Sequence, residues 1–151
     1  MSAKNYTIDG FAEALKNMEA NVRGNALKKA AMAGGQVVEA YAKVNVMDTF
    51  KNVIGNLANS IQTTVESESA DRVEVAIGPT AIYGRIEELG GTVKPLTAKK
   101  LYWLGEDGKL RSAYEVTLPA RPYLAPALND HETEVINSMS EVLRQEIEGS
   151  I

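Results

Sequence analysis

The residues best equipped for chemistry in this chain fall in two short stretches, AIYGRIEELGGTVKP at 81–95 and LPARPYLAPAL at 118–128. Tyr83, Arg85, Glu87, Arg121 and Tyr123 bring phenol, guanidinium and carboxylate groups that can hold a substrate, and Gly90 and Gly91 would let one approach the backbone. Tyrosine and arginine are also enriched among the residues that dominate protein–protein binding energy. The two stretches therefore suit either an active site or a rigid contact surface for another protein.

Nucleophilic catalysis needs a nucleophile, a base and a group that orients the base. The single histidine, His131 in NDHETE, falls on the expected first turn of the last helix, where a solvated ring is the plain expectation. No serine occupies a G-x-S-x-G elbow, and the absence of cysteine removes thiolate nucleophiles, thiolate zinc sites and disulfides. The carboxylate pairs Glu87–Glu88 and Glu66–Glu68 have no histidine partner at metal-ligand spacing. Neighbouring residues on a helix do not face one another, and the strand glutamates read as solvent-facing, so paired acid–base work is not indicated. The glycines of IGNLANS and ELGGTVKP fit neither phosphate-cradling spacing. The expectation is a noncatalytic protein with no catalytic residue, cofactor or metal.

A second function class rests on Lys94, Lys99, Lys100, Lys109 and Arg111, which surround Tyr102 and Trp103. Cations interleaved with aromatic rings are used to hold single-stranded nucleic acid, and a nucleic-acid-binding module built on the 99–111 hairpin is the alternative reading. A solvated hairpin is the simpler one. Against nucleic acid stands the net charge of −4, from 16 basic and 20 acidic residues, whose field repels phosphate backbones.

With 151 residues, 44% of them apolar, the chain has the size of a single domain over 1–151. No run approaches the roughly 20 apolar residues of a membrane helix, and the opening MSAKNYTIDG has no apolar core of a signal peptide. A soluble protein made in the cytosol, with no membrane partner, is expected.

The elements that position these residues follow from periodicity. Asp9 stands as an N-cap before Phe11, Leu15, Met18 and Val22, whose spacing predicts a short amphipathic helix interrupted at Gly24-Asn25. Leu27, Ala30, Ala31, Val37, Val38, Tyr41 and Val44 continue as a long alanine-rich helix. The pair Gly34-Gly35 in its middle implies either close approach of another backbone or a break. Ile61, Thr63 and Val65, then Val73, Val75 and Ile77, alternate with period two and predict an antiparallel hairpin. A second, projecting hairpin is marked by Asp107-Gly108, with Leu101 to Leu104 on one side and Tyr114 to Leu118 on the other. Between the hairpins, one or two helical turns should end at Gly90 in a left-handed cap. After Pro126 a helix carries Leu128, Val135, Ile136, Met139, Val142, Leu143 and Ile147 on one broad stripe. The expected fold is α+β: an antiparallel sheet of about four strands against a long N-terminal helix and a C-terminal helix.

YGRIEELGGTV followed by VTLPARPYLAPAL resembles a pattern in the tailed-phage tail-completion, minor tail or virion-morphogenesis family. Tyr83, Arg85, Glu87, Gly90, Gly91, Pro119, Arg121, Pro122, Tyr123, Leu124 and Pro126 carry the likeness, with GNLANSI at 55–61 in support. The chain departs from the family pattern where MDTFKNVIGNL separates Asp48-Thr49 from Gly55. The resemblance implies a noncatalytic structural protein at the head-to-tail junction of a virion, assembled in the host cytoplasm. It further implies a ring, of six copies in the virion, that meets head-completion and tail-tube or tail-terminator proteins; a protein in that place could touch DNA in transit without holding it. Candidate interface residues are Tyr83, Arg85, Glu87, Tyr102, Trp103, Arg121, Pro122 and Tyr123. Pro119 and Pro122 fix their own φ and bias Leu118 and Arg121 toward extended geometry, so the turn is stiff before any partner arrives. The tyrosine–arginine sets either lock this junction internally or face another subunit.

Overall fold

A computed structural model of the chain describes residues 7–50 and 55–150. In chain order the elements are α1 (Ile8–Lys16), α2 (Ala20–Thr49), α3 (Gly55–Ser60), β1 (Ile61–Glu68), β2 (Val73–Pro79), α4 (Gly84–Leu89), β3 (Gly91–Val93), β4 (Leu101–Leu104), β5 (Leu110–Ala113), β6 (Val116–Leu118), α5 (Leu124–Asn129) and α6 (Glu132–Gly149). They form two compact units, Met1–Ala81 with Tyr123–Ile151, and Ile82–Pro122. The fold is α+β, as expected. Its described strands make three two-stranded antiparallel sheets, β1-β2, β3-β6 and β4-β5, rather than one sheet of about four. Residues 51–54 of the departure at 48–55 lie outside the described residues.

In the first unit α1 is capped by Thr7, whose hydroxyl accepts the Gly10 N–H at 3.2 Å. Asp9, the expected cap, sits instead in the first turn, where its charge meets the helix dipole. The helix break falls at 17–19, not at Gly24-Asn25, so the Phe11–Val22 stripe is divided between α1 and α2. Arg23 explains the shift, because its side chain bonds the Met18 carbonyl at 3.1 Å and the Ala70 carbonyl at 3.0 Å and pairs with Asp71 at 2.9 Å. Gly24 is a packing residue: a Cβ there would stand 3.3 Å from the Ser69 carbonyl oxygen.

Helix α2 runs unbroken through Gly34-Gly35, so the pair marks close approach, although side chains rather than backbone approach it. A Cβ on Gly34 would meet Met139 of α6 at 2.7 Å, and one on Gly35 would meet Thr63 of β1 at 2.4 Å. The buried face of α2 consists of Ala26, Ala30, Ala31, Gly34, Gly35, Val38, Ala42 and Val46. Its C-terminal half carries the core, where Val38, Ala42 and Val46 pack with Leu57, Ala58, Ile61, Tyr123 and Ala127. Tyr123 is fully buried, edge-on to Phe50 with ring centroids 6.5 Å apart, and its carbonyl accepts from Asn45 at 3.0 Å.

The first hairpin forms in the expected place, with Thr63 opposite Ile77, Val65 opposite Val75, and a register shift between Val65 and Ser67. The closing helix is divided: α5 stops at Asn129 and α6 starts at Glu132. Leu128 and Ile136 are exposed, whereas Met139 and Val135 lie at Gly34 and Ile147 is buried. His131 is not a free solvated ring. It is half-buried and stacks on Tyr41 with centroids 3.4 Å apart and 14° between planes. The Tyr41 hydroxyl donates to Glu134 at 2.6 Å, and that bond, with burial and the carboxylate's charge, holds the phenol above its usual range.

Gly35→Ala tests the close packing. Alanine gains about 1 kcal/mol of helix propensity, but overpacking a core typically costs about 1–3 kcal/mol, and the Thr63 methyl is too near its own backbone to swing aside. The variant should be less stable than the parent in urea unfolding, and Gly35→Ala combined with Thr63→Ser should recover the loss. A stabilised single variant would contradict this packing.

Glu39 of α2 accepts from the Thr63 N–H and hydroxyl, both at 2.9 Å, and pairs with Lys43 at 2.6 Å. Burial opposes its ionisation, yet the bonds from Lys43 and Thr63 and the Lys43 charge outweigh it and hold the carboxyl below its usual 4.5. A depressed carboxyl contributes stability that is present above its ordinary value and lost as pH falls through the folded one. The stability difference between the parent and Glu39→Gln should therefore shrink as pH drops below 4.5, in a series of urea unfolding curves. A difference independent of pH would refute the assignment.

Candidate interaction surface

The second unit, 82–122, brings residues 82–95 of the first stretch against residues 118–122 of the second. Helix α4 ends at Gly90, with φ +69° and ψ 179°, a conformation almost restricted to glycine. Its N–H bonds the Ile86 carbonyl at 2.8 Å. A Cβ on Gly90 would stand 2.7 Å from the Ala120 nitrogen and 2.9 Å from the Leu118 oxygen, so the 118–120 backbone lies directly on the helix end. From there β3 runs antiparallel to β6, Gly91 opposite Leu118 and Val93 opposite Val116. Strand β6 thus pairs with β3 and not, as its sequence suggested, with Leu101–Leu104.

Arg121 closes the arrangement. Its N–H donates to the Glu87 carbonyl at 2.8 Å, and its guanidinium reaches the Glu87 carboxylate at 3.5 Å. The Glu87 Oε2 atom is buried, so removing the guanidinium would leave a desolvated oxygen, a loss typically worth about 1–3 kcal/mol or more. Of the two arrangements open to Arg121 and Glu87, the chain contains the internal pair.

Strand β4 pairs with β5: Leu101 with Ala113, Tyr102 with Ser112, Trp103 with Arg111 and Leu104 with Leu110. The turn forms where Asp107-Gly108 predicts it, closed by Gly108 N–H to the Gly105 carbonyl and Gly105 N–H to the Lys109 carbonyl, both 2.9 Å. Gly108 takes φ +73°, and Asp107 accepts from the Lys109 N–H at 3.2 Å and pairs with Arg111 at 3.5 Å. Four residue pairs make a marginal unit on their own. Strand alternation places Tyr102, Leu104 and Leu110 on one face, and each exposes about two-thirds of its surface.

Other sequence candidates are distributed unevenly. Tyr83 precedes α4 and is partly exposed, Arg85 and Pro122 are exposed, and Trp103 is 39% exposed. Tyr123, expected at an interface, belongs to the core of the first unit and has no surface to offer. Sequence reasoning missed Ile82 and Leu96, which are almost wholly exposed, and Leu110 and Tyr114, exposed to the same degree as Leu104. The only available signal was their density: Leu110 lies on a four-residue strand, and Ile82, Leu96 and Tyr114 lie in the turns and loops between short elements.

No cluster of three or more histidine or acidic residues among the described residues is arranged to hold a metal. Two hollows in the first unit, of about 330 Å³ beside the β1–β2 turn and about 530 Å³ between α1, α2 and the end of α6, are each lined by one carboxylate, Glu68 or Glu19, and no histidine.

A family model described as the phage virion morphogenesis family matches residues 19–148. No curated protein and no solved structure matches the chain.

Gly90 and Gly108 both have positive φ, but only Gly90 faces backbone within van der Waals distance, and nothing lies near a Cβ on Gly108. Gly108→Ala should therefore cost only the backbone strain, of the order of 1 kcal/mol, while Gly90→Ala adds a backbone clash and should cost roughly 3 kcal/mol or more. Hydrogen exchange of the β3–β6 amides reads the difference; equal protection in the two variants would refute the close contact at Gly90.

Proposed function

The chain belongs to the phage virion morphogenesis family, whose model spans residues 19–148, and from that premise we propose that it is a noncatalytic structural protein completing the junction between phage head and tail. It acts as a ring of six copies that meets head-completion proteins on one side and tail-tube or tail-terminator proteins on the other. It is made in the host cytoplasm and retained in the virion.

The observation that carries this reading is the surface of the 82–122 unit. Ile82, Leu96, Tyr102, Leu104, Leu110 and Tyr114 expose most of their apolar area in a 41-residue segment bounded by Ile82 and Pro122. Concentrated apolar exposure marks a protein contact more often than a solvated surface. Preorganisation adds to it, because the Gly90 cap, the β3–β6 pairing and the Arg121–Glu87 pair set the segment before a partner arrives. Nucleic-acid binding draws less support. Lys94 pairs with Glu115 at 3.2 Å, Lys100 lies 4.9 Å from the Tyr114 ring centre and Arg111 pairs with Asp107, so three of the five cations already have partners within the unit.

A phage lacking this protein should accumulate filled heads and separate, full-length tails that join when the purified protein is added. Loss of tails, loss of heads, or an undiminished yield of infectious particles would each contradict the junction role, and tight DNA binding at physiological salt would favour the nucleic-acid reading. Within that assay Trp103→Ala should leave the melting temperature of the isolated protein within a few degrees while reducing joined particles. Truncating an interface anchor costs roughly 2 kcal/mol of binding, whereas a core tryptophan would cost roughly 3–5 kcal/mol of folding. A melt lowered by many degrees would place Trp103 in the core instead.

A further inference from the structure

The β1–β2 hairpin has two outer edges of different character. On the β1 side, the Thr63 N–H donates to Glu39 of α2 at 2.9 Å, so a carboxylate already occupies that edge. Because this N–H points away from β2, the Thr63–Ile77 pair is a non-hydrogen-bonded one. Antiparallel alternation then assigns the mutual bonds to Gln62–Gly78 and Thr64–Ala76 and turns the N–H and C=O groups of Val75 and Ile77 outward. Among the described residues no strand lies along that outer edge of β2. An edge of this kind is normally blunted by a proline, a bulge or a covering strand; Pro79 stands only at its end, and the register shift at Val65–Ser67 is on β1.

The β4–β5 hairpin has the complementary deficiency. Counting from the Gly105–Lys109 bond, the outward backbone groups of β4 belong to Tyr102 and Leu104, whose side chains are also among the most exposed apolar groups. The two hairpins carry opposite charge. Residues 94–111 hold five basic and two acidic side chains, and residues 61–79 hold four acidic and one basic.

We propose that β4 of one copy adds as a strand to the open edge of β2 in the next copy, converting two separate hairpins into a four-stranded intermolecular sheet. This deepens, and rests on, the reading of the protein as a ring-former. The surface used on one copy differs from that used on its neighbour, which is the heterologous type of contact that propagates and closes into a ring. Backbone pairing supplies the affinity, and the exposed Tyr102–Leu104–Leu110 face gains cover.

Two variants break opposite halves of the contact. Val75→Pro removes an outward N–H that the β1 ladder does not use, and Tyr102→Glu with Leu104→Glu places charge on exposed positions of β4. Sedimentation across a concentration series should show self-association of the parent and its loss in each variant, with far-UV circular dichroism unchanged. An equimolar mixture of the two variants should form a dimer and nothing larger, since one intact edge meets one intact hairpin. Amide exchange supplies a readout free of substitutions: the Val75 and Ile77 amides should be unprotected in the monomer and protected in the assembled parent. Association undiminished by Val75→Pro, a mixture that stays monomeric, or unprotected amides in the assembly would overturn the proposal. So would a parent that remains monomeric to its solubility limit, even if that protein still joined heads to tails, an outcome that would leave the junction role standing and remove only this contact.

Discussion

The first unit depends on how closely its longest helix can be approached. Alanine and glycine occupy most of the buried positions of α2, and at Gly34 and Gly35 there is no room for even one further carbon against Met139 and Thr63. Two glycines in a helix interior cost about 2 kcal/mol together relative to alanine, so they persist only where packing requires them. Their absence of side chain lets β1 on one side and α6 on the other share a single helix. The larger apolar groups Val38, Val46, Leu57, Ile61 and Tyr123 then fill the space toward the C-terminal end. Glu39 fits the same scheme, since a close helix allows its carboxylate to reach the Thr63 N–H and cover the edge of β1.

The second unit is held by a different constraint, a backbone-to-backbone contact. Gly90 supplies a conformation that other residues resist and leaves room for the 118–120 segment, which Pro119 keeps extended. The β3–β6 pairing and the Arg121–Glu87 pair are consequences of that contact. They order a 41-residue unit bounded by Ile82 and Pro122, in which Ile82, Leu96, Tyr102, Leu104, Leu110 and Tyr114 remain exposed. A chain whose exposed apolar groups are concentrated on a preorganised segment is suited to assembly, in keeping with a family concerned with virion morphogenesis.

Sequence patterns disclosed the parts of this arrangement that rest on local chemistry. Alternation at 61–77 specified the first hairpin, Asp107-Gly108 the second turn, Gly90 the end of α4 and Gly34-Gly35 a close approach. What sequence did not disclose was decided by contacts between distant residues. The break at 17–19 is stabilised by Arg23 reaching Met18 and Ala70, whereas helical spacing continues smoothly through it. The pairing of β6 with β3 joins strands of three residues, too short to carry a period. Tyr123 was misplaced because an aromatic residue after a proline looks the same whether it turns toward a partner or into a core, and only the Phe50 and Asn45 contacts distinguish the two. His131 was misjudged for the same reason, its stacking partner Tyr41 lying on another helix.

A place at the head-to-tail junction, with contacts made through the 82–122 unit, is proposed for this protein and is open to direct observation. Electron cryomicroscopy of the intact particle tests it most directly. A ring of this chain between portal and tail, with the β4–β5 hairpin buried against neighbouring protein, is the expected result; density for the chain elsewhere in the particle, or a junction ring whose β4–β5 hairpins face only solvent, would contradict it.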